Sequence, residues 1–146
     1  MTNGLAILGV PIDNVSMEET LWKIEEFIRD GSFHQIATAN VDYLVNAVNN
    51  PLYKEILCRC DLVVADGMPV VLASRLLGSP LTERVAGSDL VPRLAHLSAQ
   101  KQYGIFLLGA APEVCKMAAA RLEEMGAQVV GTLSPPVCPL DEFDND

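Results

Sequence analysis

Apolar runs and helix-like patterns alternate along most of the chain. Five apolar runs occur, at residues 5–8, 35–39, 62–65, 103–108 and 129–131. Between them, apolar residues recur at the three- and four-residue spacing that gives a helix one apolar face. Strands that alternate with helices are typical of a parallel sheet with helical crossovers. The pattern therefore predicts an α/β fold, with an open, mainly parallel sheet and helices on both faces.

Short polar signals mark several predicted boundaries. Ser16 and Glu19 have the spacing of a capping box, which predicts that a helix begins there. Asn50-Pro51 is typical of a helix cap followed by a first turn. Leu62–Ala65 is apolar at every position, which predicts a central strand that is buried on both faces. The segment Gly9–Asp13 is predicted to be a loop.

The alternating pattern ends with the fifth predicted strand. Residues 132–146 contain three prolines, and four of the last eight residues are acidic. No linker interrupts the earlier pattern. We therefore expect a single α/β domain over residues 1–131, followed by a Pro-rich and acidic tail over residues 132–146.

The composition is that of a compact acidic protein. Of 146 residues, 50% are hydrophobic and 20% are charged, and the formal net charge is −9. This apolar content can offset the entropy of ordering the chain, which excludes disorder. A negative net charge without a Lys/Arg cluster gives no electrostatic footprint for a phosphate backbone, which excludes general nucleic-acid binding.

Features that the sequence lacks indicate the location of the chain and the redox state of its cysteines. No segment approaches the roughly 20 consecutive apolar residues that a membrane span needs. The first residues carry no basic region of the kind that begins a signal peptide, so a cytoplasmic chain is expected. The four cysteines lack the paired Cys-x-x-Cys spacing of a zinc site, which favours reduced thiols.

The end of the third apolar run carries the first candidate chemistry. In open parallel sheets, ligands bind beyond the carboxyl ends of the strands, and Asp66 and Gly67 directly follow this run. A carboxylate at such a rim loses part of its hydration, which suits it to accept a proton near neutral pH. A glycine allows a sharp turn and close approach of a substrate to the backbone. Because Asp-Gly is also a common turn sequence, catalysis and a plain turn both stay open.

Two further strand ends carry candidate binding residues. Thr38 and Asn40 offer a hydroxyl and an amide, although Asn40 can equally cap the next helix. Gly109 and Ala110 precede a helix whose free amides could hold a phosphate or diphosphate, although packing explains small residues there as well. Because the Gly-x-Gly-x-x-Gly fingerprint is absent, an NAD-dependent oxidoreductase is disfavoured.

Arg84 lies in a segment between two predicted helices. Its guanidinium fork suits phosphate oxygens. Asp89, in the first turn of the next helix, is more typical of a partner for the helix dipole. His34 and His96 have no carboxylate or serine at a diagnostic spacing, so neither is given a role.

Four segments, in this order, resemble the WecG/TagA/CpsF family of bacterial glycosyltransferases: Thr38–Asn40, Ala65–Val71, Glu83–Leu90 and Phe106–Pro112. The resemblance implies a Rossmann-like α/β fold and an inverting, metal-independent transfer. It implies that N-acetylmannosamine or a related hexose moves from a UDP-sugar to an undecaprenyl-diphosphate-linked acceptor. The products are intermediates of wall teichoic acid, enterobacterial common antigen or capsule. No cofactor is implied, because the UDP-sugar is itself the donor substrate.

The resemblance also implies roles for individual residues. Asp66 resembles the general base that deprotonates the acceptor hydroxyl, with Gly67 beside it. Thr38 and Asn40 resemble pocket residues next to the two sugars. Arg84 resembles a residue that holds phosphate or acceptor, and the loop with Gly109 and Ala110 resembles part of the UDP site.

The sequence departs from the family in two places. Met68-Pro69 stands where many relatives have a small or aliphatic residue and then glycine, which could alter the donor pocket. Relatives also continue well beyond the fifth strand, with a segment that contributes to the active site and often a basic appendage that docks on the membrane. The Asp-x-Asp pattern at residues 144–146, which metal-dependent sugar transferases use, lies in the acidic tail, where we expect it to be solvated.

Two interpretations follow from the short length. In the first, the chain holds the donor-side half of a UDP-sugar transferase that acts on a lipid-linked acceptor at the inner membrane surface. In the second, the chain is a truncated, non-catalytic nucleotide-binding or interaction module of the same fold. In either case, apolar surface left uncovered by the missing half is expected to favour self-association into a homo-oligomer.

Overall fold

The computed structural model of the protein describes residues 5–136. Most of the predicted tail, with the acidic pattern at residues 144–146, lies outside the described residues. The chain forms two compact units that divide between Val91 and Pro92. The strands are β1 (Leu5–Ile7), β2 (Val10–Ile12), β3 (Ile36–Ala39), β4 (Leu62–Ala65), β5 (Gly104–Leu108) and β6 (Gln128–Leu133). The helices are α1 (Met17–Asp30), α2 (Val41–Asn49), α3 (Pro51–Arg59), α4 (Met68–Leu76), α5 (Gly87–Lys101) and α6 (Pro112–Glu124).

The first unit begins with an antiparallel hairpin, so the prediction of a loop over Gly9–Asp13 was wrong for Val10–Ile12. Leu5 pairs with Ile12, and Ile7 pairs with Val10. The two turn residues, Leu8 and Gly9, have φ angles of 52° and 79°, as a tight hairpin turn requires. Val10 and Ile12 are fully buried on one face of β2.

The parallel pair β3–β4 forms the centre of the first unit. Ile36 pairs with Leu62, and Ala39 pairs with Ala65. All four residues of β4 are buried, which confirms the predicted burial of this strand on both faces. On the other edge of β4, Asp13 acts as a partner: its N–H donates to Val63 O at 2.8 Å, and its Oδ2 accepts from Val63 N at 2.8 Å. Both edges of β4 are therefore bonded.

The predicted starts of α1 and α3 are confirmed, whereas α4 begins at Met68, two residues before the predicted start. Glu19 N donates to Ser16 Oγ at 3.1 Å, and Ser16 N donates to Glu19 Oε2 at 2.8 Å, which completes the capping box of α1. Gly31 ends α1 in the left-handed conformation. Asn50 Oδ1 accepts from the N–H groups of Leu52 and Tyr53 at the start of α3. Short polar sequences thus determine where these helices begin and end.

The second unit contains the parallel pair β5–β6 with α6. The Phe106 ring lies over Gly131, where a methyl side chain would come within 2.6 Å of the ring. Buried Ser98 of α5 donates from Oγ to Tyr103 O at 2.6 Å and accepts from Gln128 N at 2.9 Å. This hydroxyl joins the end of α5 to the start of β6. Strand β6 ends at Leu133, two residues beyond the predicted strand.

Helices alternate with short, mainly parallel strands, which confirms the α/β class with a Rossmann-like arrangement. The sheets are small, because each contains two strands. Within residues 5–136, no helix has the length and apolar character that crossing a membrane requires.

Candidate active site

The carboxyl ends of β3 and β4 bring two predicted site residues to the same edge. Ala39 and Ala65 are paired in register, so Asn40 and Asp66 each follow the last residue of a strand. Asp66 N donates to Ala39 O at 2.9 Å. The pairing of the two strands therefore places Asn40 and Asp66 at the same edge, where ligands of parallel sheets bind.

Asp66 also bonds to a segment that is distant in the sequence. Its Oδ2 accepts a hydrogen bond from Gly87 N at 3.1 Å. The same segment contacts the end of β4, because Val85 N donates to Ala65 O at 2.8 Å. Asp66 is only partly exposed. The backbone of residues 85–87 thus fixes one carboxylate oxygen and leaves the other, Oδ1, as an acceptor.

Thr38 shares a small space with this carboxylate. A methyl group on Gly87 would lie 3.2 Å from Thr38 Oγ1 and 3.7 Å from Asp66 Oδ2. Thr38 is half-buried on β3, and its neighbours Ala37 and Ala39 point into the core. The hydroxyl and the carboxylate therefore both lie next to the Cα atom of Gly87.

Gly67 turns the chain from β4 into α4. Its φ of 133° and ψ of 143° are a conformation that residues with side chains rarely adopt. A Cβ atom there would meet only Pro69 Cδ, at an ordinary 3.7 Å. Glycine is therefore required for its backbone conformation, and not for space. The role of Gly67 toward a substrate stays a prediction.

Asn40 caps α2, as one of its two predicted roles requires. Its Oδ1 accepts from Tyr43 N at 3.0 Å. The cap uses only the oxygen, so the side-chain amide retains its two N–H donors. A binding role at the rim is compatible with capping and stays a prediction.

Arg84 forms an ion pair with Asp89 in the first turn of α5. Both side chains are partly exposed, and the contact is made by Nη2, which leaves the other guanidinium donors for a ligand. The segment before Arg84 is firmly attached. Thr82 N donates to Asn14 Oδ1 at 2.7 Å, and Met17 N donates to Glu83 Oε2 at 2.8 Å.

Gly109 and Ala110 belong to the second unit. Both have positive φ angles, 111° and 60°, and Gly109 N donates to Leu133 O at 2.9 Å. Ala111 follows as the N-cap of α6 and provides no side-chain cap. The loop therefore leaves amides at the start of α6 without a side-chain partner, as the predicted phosphate site requires.

Sequence reasoning missed Gly87, which bonds to Asp66, and Asp13, which bonds to Val63 of β4. In the sequence, Gly87 belongs to one of the four segments that carry the family resemblance, and Asp13 lies in a segment that is predicted to be a loop. The contacts of both residues span 21 and 50 positions of the chain, so no local pattern reveals them. The signal that could have indicated Gly87 is a glycine at a helix start beside two polar residues.

No group of three or more His, Cys, Asp or Glu side chains within residues 5–136 has an arrangement that could hold a metal ion. The metal independence implied by the resemblance stays a prediction.

Comparison with known proteins identifies the family. The model of the glycosyl transferase WecG/TagA/CpsF family matches residues 5–146. The chain belongs to this family. The segments that carry the predicted site residues all lie within the matched range, as do the described residues of both units. The similarity in sequence therefore extends well beyond the four motifs.

Curated relatives are similar in sequence to this member of the WecG/TagA/CpsF family over most of its length. They include the N-acetylglucosaminyldiphosphoundecaprenol N-acetyl-beta-D-mannosaminyltransferases of Staphylococcus aureus strains NCTC 8325 / PS 47 and COL. Each is 36% identical over 123 residues, which are 81% of this chain and 47% of the relative. The chain thus spans about half the length of the curated relatives that it matches.

Proposed function

We propose that this chain carries the catalytic base of an inverting glycosyltransferase. The reaction moves N-acetylmannosamine or a related hexose from a UDP-sugar to an undecaprenyl-diphosphate-linked acceptor, in the synthesis of a cell-surface polymer such as teichoic acid. The observation that carries the proposal is the cluster of Asp66, Thr38 and Gly87 at the carboxyl edge of β3 and β4. The names of the staphylococcal relatives support the sugar and the acceptor.

The proposed reaction is a single displacement. Asp66 Oδ1 accepts the proton of the acceptor hydroxyl as the hydroxyl oxygen bonds to the anomeric carbon of the donor. The bond from that carbon to the diphosphate oxygen breaks, and UDP leaves with the electron pair. Because the acceptor attacks the face opposite the leaving group, the configuration at the anomeric carbon inverts. A positioned base of this kind contributes about 10²- to 10⁴-fold in rate.

Other residues of the chain bind and orient the substrates in this proposal. The Thr38 hydroxyl and the Asn40 amide hold the sugars beside Asp66, where Gly67 allows close approach to the backbone. The free guanidinium donors of Arg84 bind phosphate or acceptor. The loop with Gly109 and Ala110 is the proposed phosphate-binding element of the second unit. The acceptor is part of a membrane lipid, so the protein works at the inner face of the membrane. No cofactor or metal is used.

A second candidate function follows from the share of the relatives that the chain covers. At 47% of their length, the chain could bind a nucleotide without completing the transfer. The experiment titrates UDP by calorimetry and measures transfer of labelled N-acetylmannosamine to a synthetic lipid-diphosphate acceptor, on the same sample. Binding with turnover is the result that our proposal predicts. Binding without turnover favours the non-catalytic module, and the absence of both contradicts the donor assignment.

A further inference from the structure

The N–H of Gly87 and the absence of a side chain at this position both affect Asp66. We propose that Gly87 is a positioning residue: its amide holds Oδ2 of Asp66, so that Oδ1 is the oxygen that accepts the proton. The lack of a side chain keeps the space shared by Thr38 and Asp66 open to the acceptor hydroxyl. This inference rests on the proposed function.

The main chain on both sides of Asp66 is fixed by short hydrogen bonds. Asp66 N donates to Ala39 O at 2.9 Å, and Val85 N donates to Ala65 O at 2.8 Å. The Gly87 amide is therefore a donor in a rigid position, and it cannot rotate away as a side-chain donor can. A carboxylate with one oxygen held in this way presents its second oxygen in a defined direction.

Asp66 also takes the place of a helix cap. Gly87 is the first residue of α5, and the first N–H groups of a helix have no partner within the helix. Here the Gly87 amide is bonded to a carboxylate that comes 21 positions earlier in the chain. The positive end of the helix dipole favours the negative charge of this carboxylate.

The lack of a side chain at position 87 leaves space next to Thr38 and Asp66. A methyl group there would lie 3.2 Å from Thr38 Oγ1, which is tighter than ordinary van der Waals contact. The threonine or the start of α5 must then shift by a few tenths of an ångström. Either shift displaces the hydroxyl or the amide relative to Asp66. The alternative is that Asp66 and Gly87 form only a structural cap.

A pH titration followed by NMR tests the hydrogen bond without any need for turnover. The Gly87 amide proton of the isotopically labelled chain should shift as Asp66 is protonated, and Asp66→Asn should abolish this shift. Other ionisable groups on the surrounding elements include Asp42 on α2, Glu83 and Arg84 before α5, Asp89, Arg93 and His96 on α5, and Arg75 on α4. Asp89→Asn, in the same turn of α5, is the matched control and should leave the shift in place. A Gly87 amide that does not respond to Asp66 overturns the inference.

Steady-state kinetics test the consequence for catalysis. Gly87→Ala should lower kcat about 10- to 100-fold with little change in the KM of the donor, because a small displacement of reacting groups is costly. Ser88→Ala, one residue later in the same turn, should leave kcat unchanged. Wild-type kcat in the folded Gly87→Ala variant overturns the inference. A wild-type chain without turnover would contradict the proposed function instead, and the NMR titration would still decide whether Gly87 holds Asp66.

Discussion

Individual residues at the rim have separate tasks. Asp66 supplies the carboxylate, Thr38 supplies a hydroxyl beside it, and Gly67 supplies a backbone conformation that lets α4 begin immediately afterwards. The conformation of Gly67 does not depend on a substrate, so its contribution can be measured as a free energy of unfolding.

Replacement of Gly67 by alanine should destabilise the fold. The φ and ψ angles of 133° and 143° are nearly exclusive to glycine, and forcing a side chain into such a region costs about 1–3 kcal/mol. Urea unfolding of Gly67→Ala measures the loss. Gly31→Ala is the matched control, because Gly31 is left-handed and a Cβ atom there meets nothing within 4 Å. A Gly67→Ala loss no larger than that of Gly31→Ala would refute the assignment.

A histidine joins the end of α1 to the start of β4. His34 Nε2 lies 2.8 Å from Asp30 Oδ2, and its Nδ1 lies 3.3 Å from Asp61 Oδ1, in ion-pair contact but without a directed hydrogen bond. The ring stacks on Phe27 with centroids 4.1 Å apart. The hydrogen bond with Asp30 raises the pKa of His34 above 6.5. Backbone hydrogen bonds and His34 lower the pKa values of Asp30 and Asp61 below 3.8.

These shifts predict a pH window for the contribution of His34 to stability. A raised histidine pKa stabilises the fold below pH 6.5, and this contribution is lost as the pH rises through the raised value. The lowered carboxyl pKa values stabilise the fold above pH 3.8, and that contribution is lost as the pH falls through the lowered values. Stabilisation by this cluster should therefore be greatest between pH 3.8 and 6.5.

Chemical unfolding of the wild type and His34→Gln across this pH range provides the measurement. The stability difference between the two proteins should shrink on the alkaline side of the window. Replacement of the exposed His96 by glutamine is the control and should give no such pH-dependent difference. A difference that grows steadily with pH would be inconsistent with the ion pairs.

Elements with strong local signals could be predicted from the sequence, and contacts between distant segments could not. Helix α1 is bounded by a capping box and a glycine, and β4 is apolar throughout, so both were correctly predicted. Strand β2 was missed because Leu8 occupies a turn position that usually holds asparagine, aspartate or glycine. For the site, the strand ends indicated Asp66 and Asn40, whereas the bond to Gly87 depends on the fold.

The whole molecule exposes apolar side chains on both units. Leu76 and Phe33 in the first unit are 90% and 89% exposed, and Leu108 in the second is 71% exposed. Such surface promotes association in water. The chain spans 47% of the length of its curated relatives. Exposed apolar surface is expected for a truncated module and for a chain that self-associates.

Multi-angle light scattering should therefore give a molar mass above that of the monomer, and the mass should rise with concentration. Leu76→Lys removes the most exposed of these side chains and should shift the population toward monomer. The exposed Arg75→Lys substitution, at the neighbouring position of α4, is a control that leaves the apolar surface intact. A wild-type chain that is monomeric at all concentrations would contradict the expectation.

Asp66 is proposed to accept the proton of the acceptor hydroxyl, and its replacement by asparagine tests this role. Asn in place of Asp66 retains an oxygen that can accept from the Gly87 amide, so Asp66→Asn should fold, but it cannot act as a base. We expect the rate of sugar transfer from the UDP-sugar to the lipid-diphosphate acceptor to fall about 10²- to 10⁴-fold. Asp42→Asn, at an exposed carboxylate in the first turn of α2, should transfer at the wild-type rate. Transfer at the wild-type rate by a folded Asp66→Asn protein would contradict the account.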